Sequence, residues 1–324
     1  MALSGMIRKR ILWTGLRAFI AFGILYYLFR KVPISHVIGT LASANSNYLF
    51  SSLLVTILIS LLVSYRLKFL AENQGIPVTT LQAFEINTAA LFYRLFLPGG
   101  NIAAGVIRFY KLSSPNRKMT EALAALAFDR IIATIALCIV GISFWFIHFP
   151  SNSGYIALGM SFVLTGLILV NFVVFFDRSS ILLKKLSELL DLTLLSSAIS
   201  RLVTIINCFR RLSSNSIAFI LTLSLTSQVL GVVVYYLLAL ALNIEISFFA
   251  MGWIRCAVVL ITMIPISISG LGVREGSLLL LLKPYGVDND ESLAFSFLIF
   301  IITVVMIGVI GGLLEGLRFL LKDV

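Results

Sequence analysis

Five arginines, Arg94, Arg108, Arg130, Arg255 and Arg274, fall in or beside stretches of the chain that are otherwise apolar, together with three acids, Glu85, Asp129 and Glu275. A guanidinium at the centre of a membrane helix costs roughly 2.5–3.5 kcal/mol even on a lenient insertion scale, so five facing lipid would cost about 12–18 kcal/mol. That is comparable with the whole folding stability of a domain. The arginines must therefore face one another, backbone carbonyls or a watery cavity. A closed network of ion pairs would meet that demand, and so would a cavity whose arginines hold an anion. Five positive charges against three negative favour the cavity, and the planar, bidentate guanidinium suits phosphate. Asp129 and Arg130 are adjacent, as are Arg274 and Glu275. Neighbouring side chains point about 100° apart on a helix, so each is expected to pair with a residue on another helix.

Other chemistries find little support. His36 and His148 sit near ends of apolar segments with no partner at metal-ligand spacing, and Cys138, Cys208 and Cys256 are widely separated, so neither a metal site nor a disulfide framework is expected. The chain has no HExxH, CxxC, GxSxG or P-loop. The run GLGVREG at 270–276 resembles a dinucleotide fingerprint only superficially, because its glycine spacing is one residue too long and no strand precedes it. An enzyme is not expected, and no cofactor is implied. Gly308, Gly312 and Gly316 recur every four residues, which predicts a close-packing face for another helix.

The elements that hold these residues follow from composition. Of 324 residues, 60% are hydrophobic and 12% charged, and the mean hydropathy is +1.06; a soluble protein carries about 25% charged residues. This excludes a soluble enzyme, a disordered chain and a secreted disulfide scaffold, and it predicts an all-α, polytopic membrane protein. The net charge of +11, from 25 Lys and Arg against 14 Asp and Glu, is explained by basic cytoplasmic loops. No soluble basic domain is present to bind nucleic acid.

Six stretches are long enough to span: 11–29, 47–65, 121–148, 154–176, 215–242 and 292–316. The first, flanked by Arg8-Lys9-Arg10 and Arg30-Lys31, is expected to be a retained anchor and not a signal peptide. Two further regions are interrupted, 81–112 by Pro98-Gly99-Gly100 and 248–282 by Pro265 and by Gly270, Gly272 and Gly276. Proline removes a helix donor and glycine permits turns, and such backbone survives at membrane depth only where protein or water satisfies it. Both regions are therefore expected to be broken or re-entrant hairpins.

Counting loop charges puts both termini in the cytoplasm and makes the two hairpins enter from opposite sides. Gly105 follows Pro98, and Gly272 follows Pro265, by seven residues, each shortly before an arginine, Arg108 or Arg274. Together these predict an inverted repeat with a midplane site built from discontinuous helices. The first membrane half covers 1–177 and the second 214–324. Between them, 178–213 shows leucines at helical spacing with Lys184, Lys185, Arg210 and Arg211 on or beside other faces, an amphipathic linker on the cytoplasmic surface.

At IPISISGLGVREG, 264–276, the sequence resembles the lysylphosphatidylglycerol synthase transmembrane-region family of flippase-like membrane proteins. The resemblance extends to Phe96-Leu97-Pro98-Gly99-Gly100 with Arg108 following, and to the pair Asp129-Arg130. It implies moving or presenting anionic or modified lipids at the cytoplasmic (inner) membrane. The chain ends at Val324 with no synthase domain, so lipid aminoacylation is not implied. Residues and resemblance together predict a lipid translocase for a phosphate-bearing lipid, either an anionic phospholipid or a polyprenyl-phosphate-linked one. Arg94, Arg108, Arg255 and Arg274 would contact the headgroup; Glu85, Asp129, Arg130 and Glu275 would be their charge partners. Pro98, Gly99, Gly100, Pro265, Gly270, Gly272 and Gly276 would supply breaks and hinges. The alternative is a partner of an envelope glycosyltransferase or aminoacyl-lipid synthase that presents lipid without moving it, and a small-anion transporter is a third reading. Nothing in the sequence specifies an oligomeric state.

Overall fold

Helix starts are set by short polar side chains that satisfy the first free backbone N–H groups. A computed structural model describes residues 34–97, 101–113, 118–148, 213–263 and 270–322, and within these every regular element is helical. After α1 (Ile34–Ala42), Asn45 caps α2 (Ser46–Asn73), its Oδ1 accepting from the Asn47 N–H at 3.0 Å. Thr79 and Gln82 cap α3 (Thr80–Phe96) reciprocally: the Gln82 N–H donates to Thr79 Oγ1 at 3.2 Å, and the Thr79 N–H to Gln82 Oε1 at 2.9 Å. α4 (Asn101–Ser113) and α5 (Met119–His148) follow. Ser213 caps α6 (Ser214–Ala241), which is followed by α7 (Phe248–Met263) and α8 (Val273–Leu282).

Gly270 and Gly272 lead into α8 with φ of +80° and +81°, a left-handed backbone that favours glycine. Beyond a short 3₁₀ turn, α9 (Asn289–Phe300) runs through a π-helical turn (Ile301–Met306) into α10 (Ile307–Lys322). Pro98, Gly99, Gly100 and Pro265 lie outside the described residues, as do the linker over 178–212 and the predicted spans at 11–29 and 154–176.

Apolar length in one unbroken helix, not apolar composition, decides what can cross a bilayer. The expectation of six full spans plus two inverted hairpins is overturned on that ground. Among the described residues four helices are long and apolar enough: Ser46–Asn73, Met119–His148, Ser214–Ala241 and Asn289–Arg318. The regions 81–112 and 248–282 each hold two separate helices, α3 with α4 and α7 with α8. The longest of these, α3 and α7, have 17 and 16 residues and so run about 25 Å, short of a 30 Å hydrocarbon core. Among the described residues the architecture is therefore four long helices with shorter ones packed among them.

α2 lies along α6, α3 along α10 and α5 along α7. One apolar core gathers Leu238, Met251, Ile254, Leu278 and Phe295; another gathers Leu67, Leu70, Phe128 and Ile220. Outward, Phe50, Leu54, Leu58 and Leu61 form an exposed stripe on α2, as expected of a surface solvated by lipid. The close α3–α10 contact depends on glycine. A Cβ at Gly311 would run into the Thr88 backbone, and one at Gly312 into the Phe92 ring. Gly308 faces Leu91 and Leu95, whereas Gly316 meets nothing within 4 Å, so the packing face is 308, 311 and 312, not the four-residue repeat. The π turn rotates the helix by about an extra residue just before this contact.

Candidate functional site

Three short helices and the long α5 bring their arginines to one place. A cavity of about 340 Å³ is lined by Arg94 of α3, Arg108 of α4, Arg130 of α5 and Arg255 of α7. Thr56, Ser60 and Asn87 add neutral polar groups, Tyr235 and Gly231 come from α6, and Thr303 from the π turn. No carboxylate lines the wall among the described residues. Arg130 is the most open of the four arginines, and the other three are half-buried.

Asp129 stands just behind this wall, 3% exposed, and is shared by two cations. Its Oδ1 accepts from Arg66 Nε at 2.7 Å and its Oδ2 from Arg108 Nη2 at 3.0 Å. Arg66 Nη1 also donates to Ser224 Oγ at 2.9 Å, so one carboxylate ties α2, α4 and α5 together and reaches α6 through Arg66. Asp129 thus pairs away from its neighbour Arg130, as expected from their separation around the helix. Arg130 has no carboxylate partner among the described residues, and Arg108 Nε is buried without a hydrogen bond.

Arg255 is held by neutral groups. Gln228 Oε1 accepts from both Nη1 and Nη2 at 3.1 Å, and Gln228 Nε2 in turn donates to the Ala133 carbonyl at 3.2 Å. The Tyr235 ring lies 5.7 Å from the guanidinium carbon. Any Cβ at Gly231 would occupy the space of that guanidinium. Gln228, Gly231 and Tyr235 follow one another at three and four residues along one face of α6. They orient the charge without cancelling it.

Arg274 lies elsewhere. It is not on the cavity wall; its Nη2 donates to Glu275 Oε1, and its Nε to Ser296 Oγ at 2.9 Å. Ser296 Oγ donates to the same Glu275 oxygen at 3.0 Å, and Glu275 Oε2 accepts the Gly272 N–H at 2.6 Å. The Phe300 ring sits 5.1 Å from the Arg274 guanidinium. Arg274 and Glu275 therefore pair with each other, against the expectation from their 100° separation. The left-handed entry to α8 lets the carboxylate fold back over its own N-terminus, and the long arginine chain reaches it there. Glu85 also lies off the cavity, accepting from Arg318 Nη1 at 3.1 Å. Gly276 sits inside α8 with nothing within 4 Å of a Cβ.

Arg66 is not among the site residues expected from the sequence, because it falls just past the stretch 47–65 read as a span. The helix continues through Leu67, Phe69 and Leu70 to Asn73, and that apolar continuation was the available signal. Cys138 and Cys256 are buried free thiols. Among the described residues no group of three His, Cys, Asp or Glu could hold a metal ion.

The family described as "Lysylphosphatidylglycerol synthase TM region" matches residues 15–311, about nine-tenths of the chain. No curated protein matches it.

Proposed function

The chain belongs to the lysylphosphatidylglycerol synthase transmembrane-region family, and from that premise we propose that its lipid-handling role is the translocation of a phosphate-bearing lipid. The headgroup would enter the arginine cavity, where Arg94, Arg108, Arg130 and Arg255 grip phosphate oxygens. Gln228, Gly231 and Tyr235 hold Arg255 in place, and Asp129 holds Arg108. Arg274 and Glu275 would act at one remove, fixing the glycine-led start of α8. The excess of Lys and Arg in loops supports the cytoplasmic membrane, with both termini on the cytoplasmic face.

One observation carries this reading: four arginines line a single cavity among membrane-spanning helices, and among the described residues no carboxylate lines its wall. A structural ion-pair network would bring its acids to the same wall. The test is a reconstituted translocation assay with fluorescent anionic and polyprenyl-phosphate lipids. Arg130→Gln and Arg255→Gln are expected to slow transfer at least tenfold in folded protein. Transfer at the wild-type rate in both would remove the site assignment. Tight, arginine-dependent binding without any transfer would favour the presenting partner instead.

A further inference from the structure

Arg66, Arg108, Arg130 and Arg255 bring four positive charges, and the only carboxylate that contacts any of them among the described residues is Asp129, which leaves three. The charges around this group do not alter that balance. Arg274 is matched by Glu275, Lys111 by Glu315 and Arg318 by Glu85. These pairs leave nothing to offset the charge at the cavity, and the contacts of Arg255 preserve it, since Gln228 and Tyr235 are neutral.

We propose that the cavity selects headgroups with more than one negative charge at the phosphate, a phosphomonoester or a pyrophosphate, over singly charged phosphodiesters. This rests on the reading of the cavity as a lipid-headgroup site. A phosphodiester carries one charge and offers two free oxygens. A monoester carries about −1.5 to −2 near pH 7 and three strong acceptor oxygens, and a pyrophosphate offers more of both. Bidentate arginines are satisfied by oxygens in pairs, so Arg108, Arg130 and Arg255 outnumber what a diester can serve. Like charges repel more strongly in a cavity walled by apolar helices than in water, and a second negative charge on the ligand relieves that repulsion. A lysyl-esterified diester is disfavoured for the same reason, since its amine would meet arginines and no carboxylate on the wall among the described residues.

Binding should be measured on the full chain in zwitterionic detergent, using dihexanoyl phosphatidylglycerol, dihexanoyl phosphatidic acid, farnesyl pyrophosphate and inorganic pyrophosphate. Phosphatidic acid and farnesyl pyrophosphate are expected to bind at least tenfold tighter than phosphatidylglycerol, and inorganic pyrophosphate at least tenfold weaker than its farnesyl ester. Arg130→Gln and Arg255→Gln should each shrink the preference over phosphatidylglycerol to about threefold, while Arg255→Lys, which keeps the charge, should retain most of it. Equal, arginine-dependent binding of all three lipids would overturn the charge selection and leave the lipid site standing. Inorganic pyrophosphate binding as tightly as the farnesyl ester would overturn the lipid reading and make this a site for a free anion. Binding indifferent to both glutamine substitutions would overturn the two together.

Discussion

Two regions of this protein each hold arginine among apolar helices, and they do so in opposite ways. At the start of α8, Arg274 and Glu275 form a closed circuit with Ser296, the Gly272 N–H and the Phe300 ring, with Arg274 6% and Glu275 0% exposed. Every charge there has a counter-charge within the cluster. Around the cavity, one carboxylate serves two arginines, a glutamine serves a third, and the wall faces open space. The difference shows that burying a guanidinium is not one problem. Its desolvation is offset either by a matched anion, which leaves nothing for a ligand to take, or by neutral acceptors and a cavity, which leaves the charge available.

Substitutions that remove one partner should separate the two regions, most sharply at α8. Glu275→Gln leaves Arg274 buried without its anion and weakens the hydrogen bond to Gly272. A loss of about 3–5 kcal/mol is expected, read as a large fall in melting temperature by size-exclusion chromatography. If Glu275→Gln melted like wild type, the circuit would not be structural and the contrast would collapse. Asp129→Asn should come next, at about 3 kcal/mol, because Arg66 and Arg108 lose their shared anion while Ser224 still accepts from Arg66. Adding Arg108→Gln to Asp129→Asn should recover part of that loss, the coupling expected of groups in direct contact.

The cavity arginines should behave in the opposite sense. Arg255→Gln removes a charge with no carboxylate partner, so melting should stay within about 0.5 kcal/mol of wild type or rise, while lipid transfer falls. A melting loss as large as that of Glu275→Gln would mean that Arg255 is structural too. A small effect is likewise expected at the partly exposed Lys111–Glu315 pair joining α4 to α10. Lys111→Ala should cost under about 1 kcal/mol, and raising the salt should reduce the difference from wild type.

Much of the site was legible because charge inside apolar sequence is costly wherever it occurs. Arg94, Arg108, Arg130 and Arg255 stand out on that ground alone, and Gly270 and Gly272 stand out as backbone breaks. What the residues could not reveal was partnership. Arg66 and Asp129 are 63 positions apart, and Arg66 and Ser224 are 158 apart; no local spacing points from one to the other. Gln228, Gly231 and Tyr235 read as an ordinary apolar helix face until Arg255 is laid against them. The span count differs as well. Among the described residues four helices are long and apolar enough to cross, and α3 and α7, in the two interrupted regions, are individually too short.

The sequence alone therefore determined the solvent and the anomalies. A chain with 60% hydrophobic and 12% charged residues must sit in lipid, and arginines within it must be accounted for. Tertiary structure decided which arginines are compensated. That outcome depends on which helices meet: α2, α4 and α5 converge on one aspartate, whereas α8 carries its own glutamate. Coulomb interaction falls with distance through space and takes no account of position along the chain.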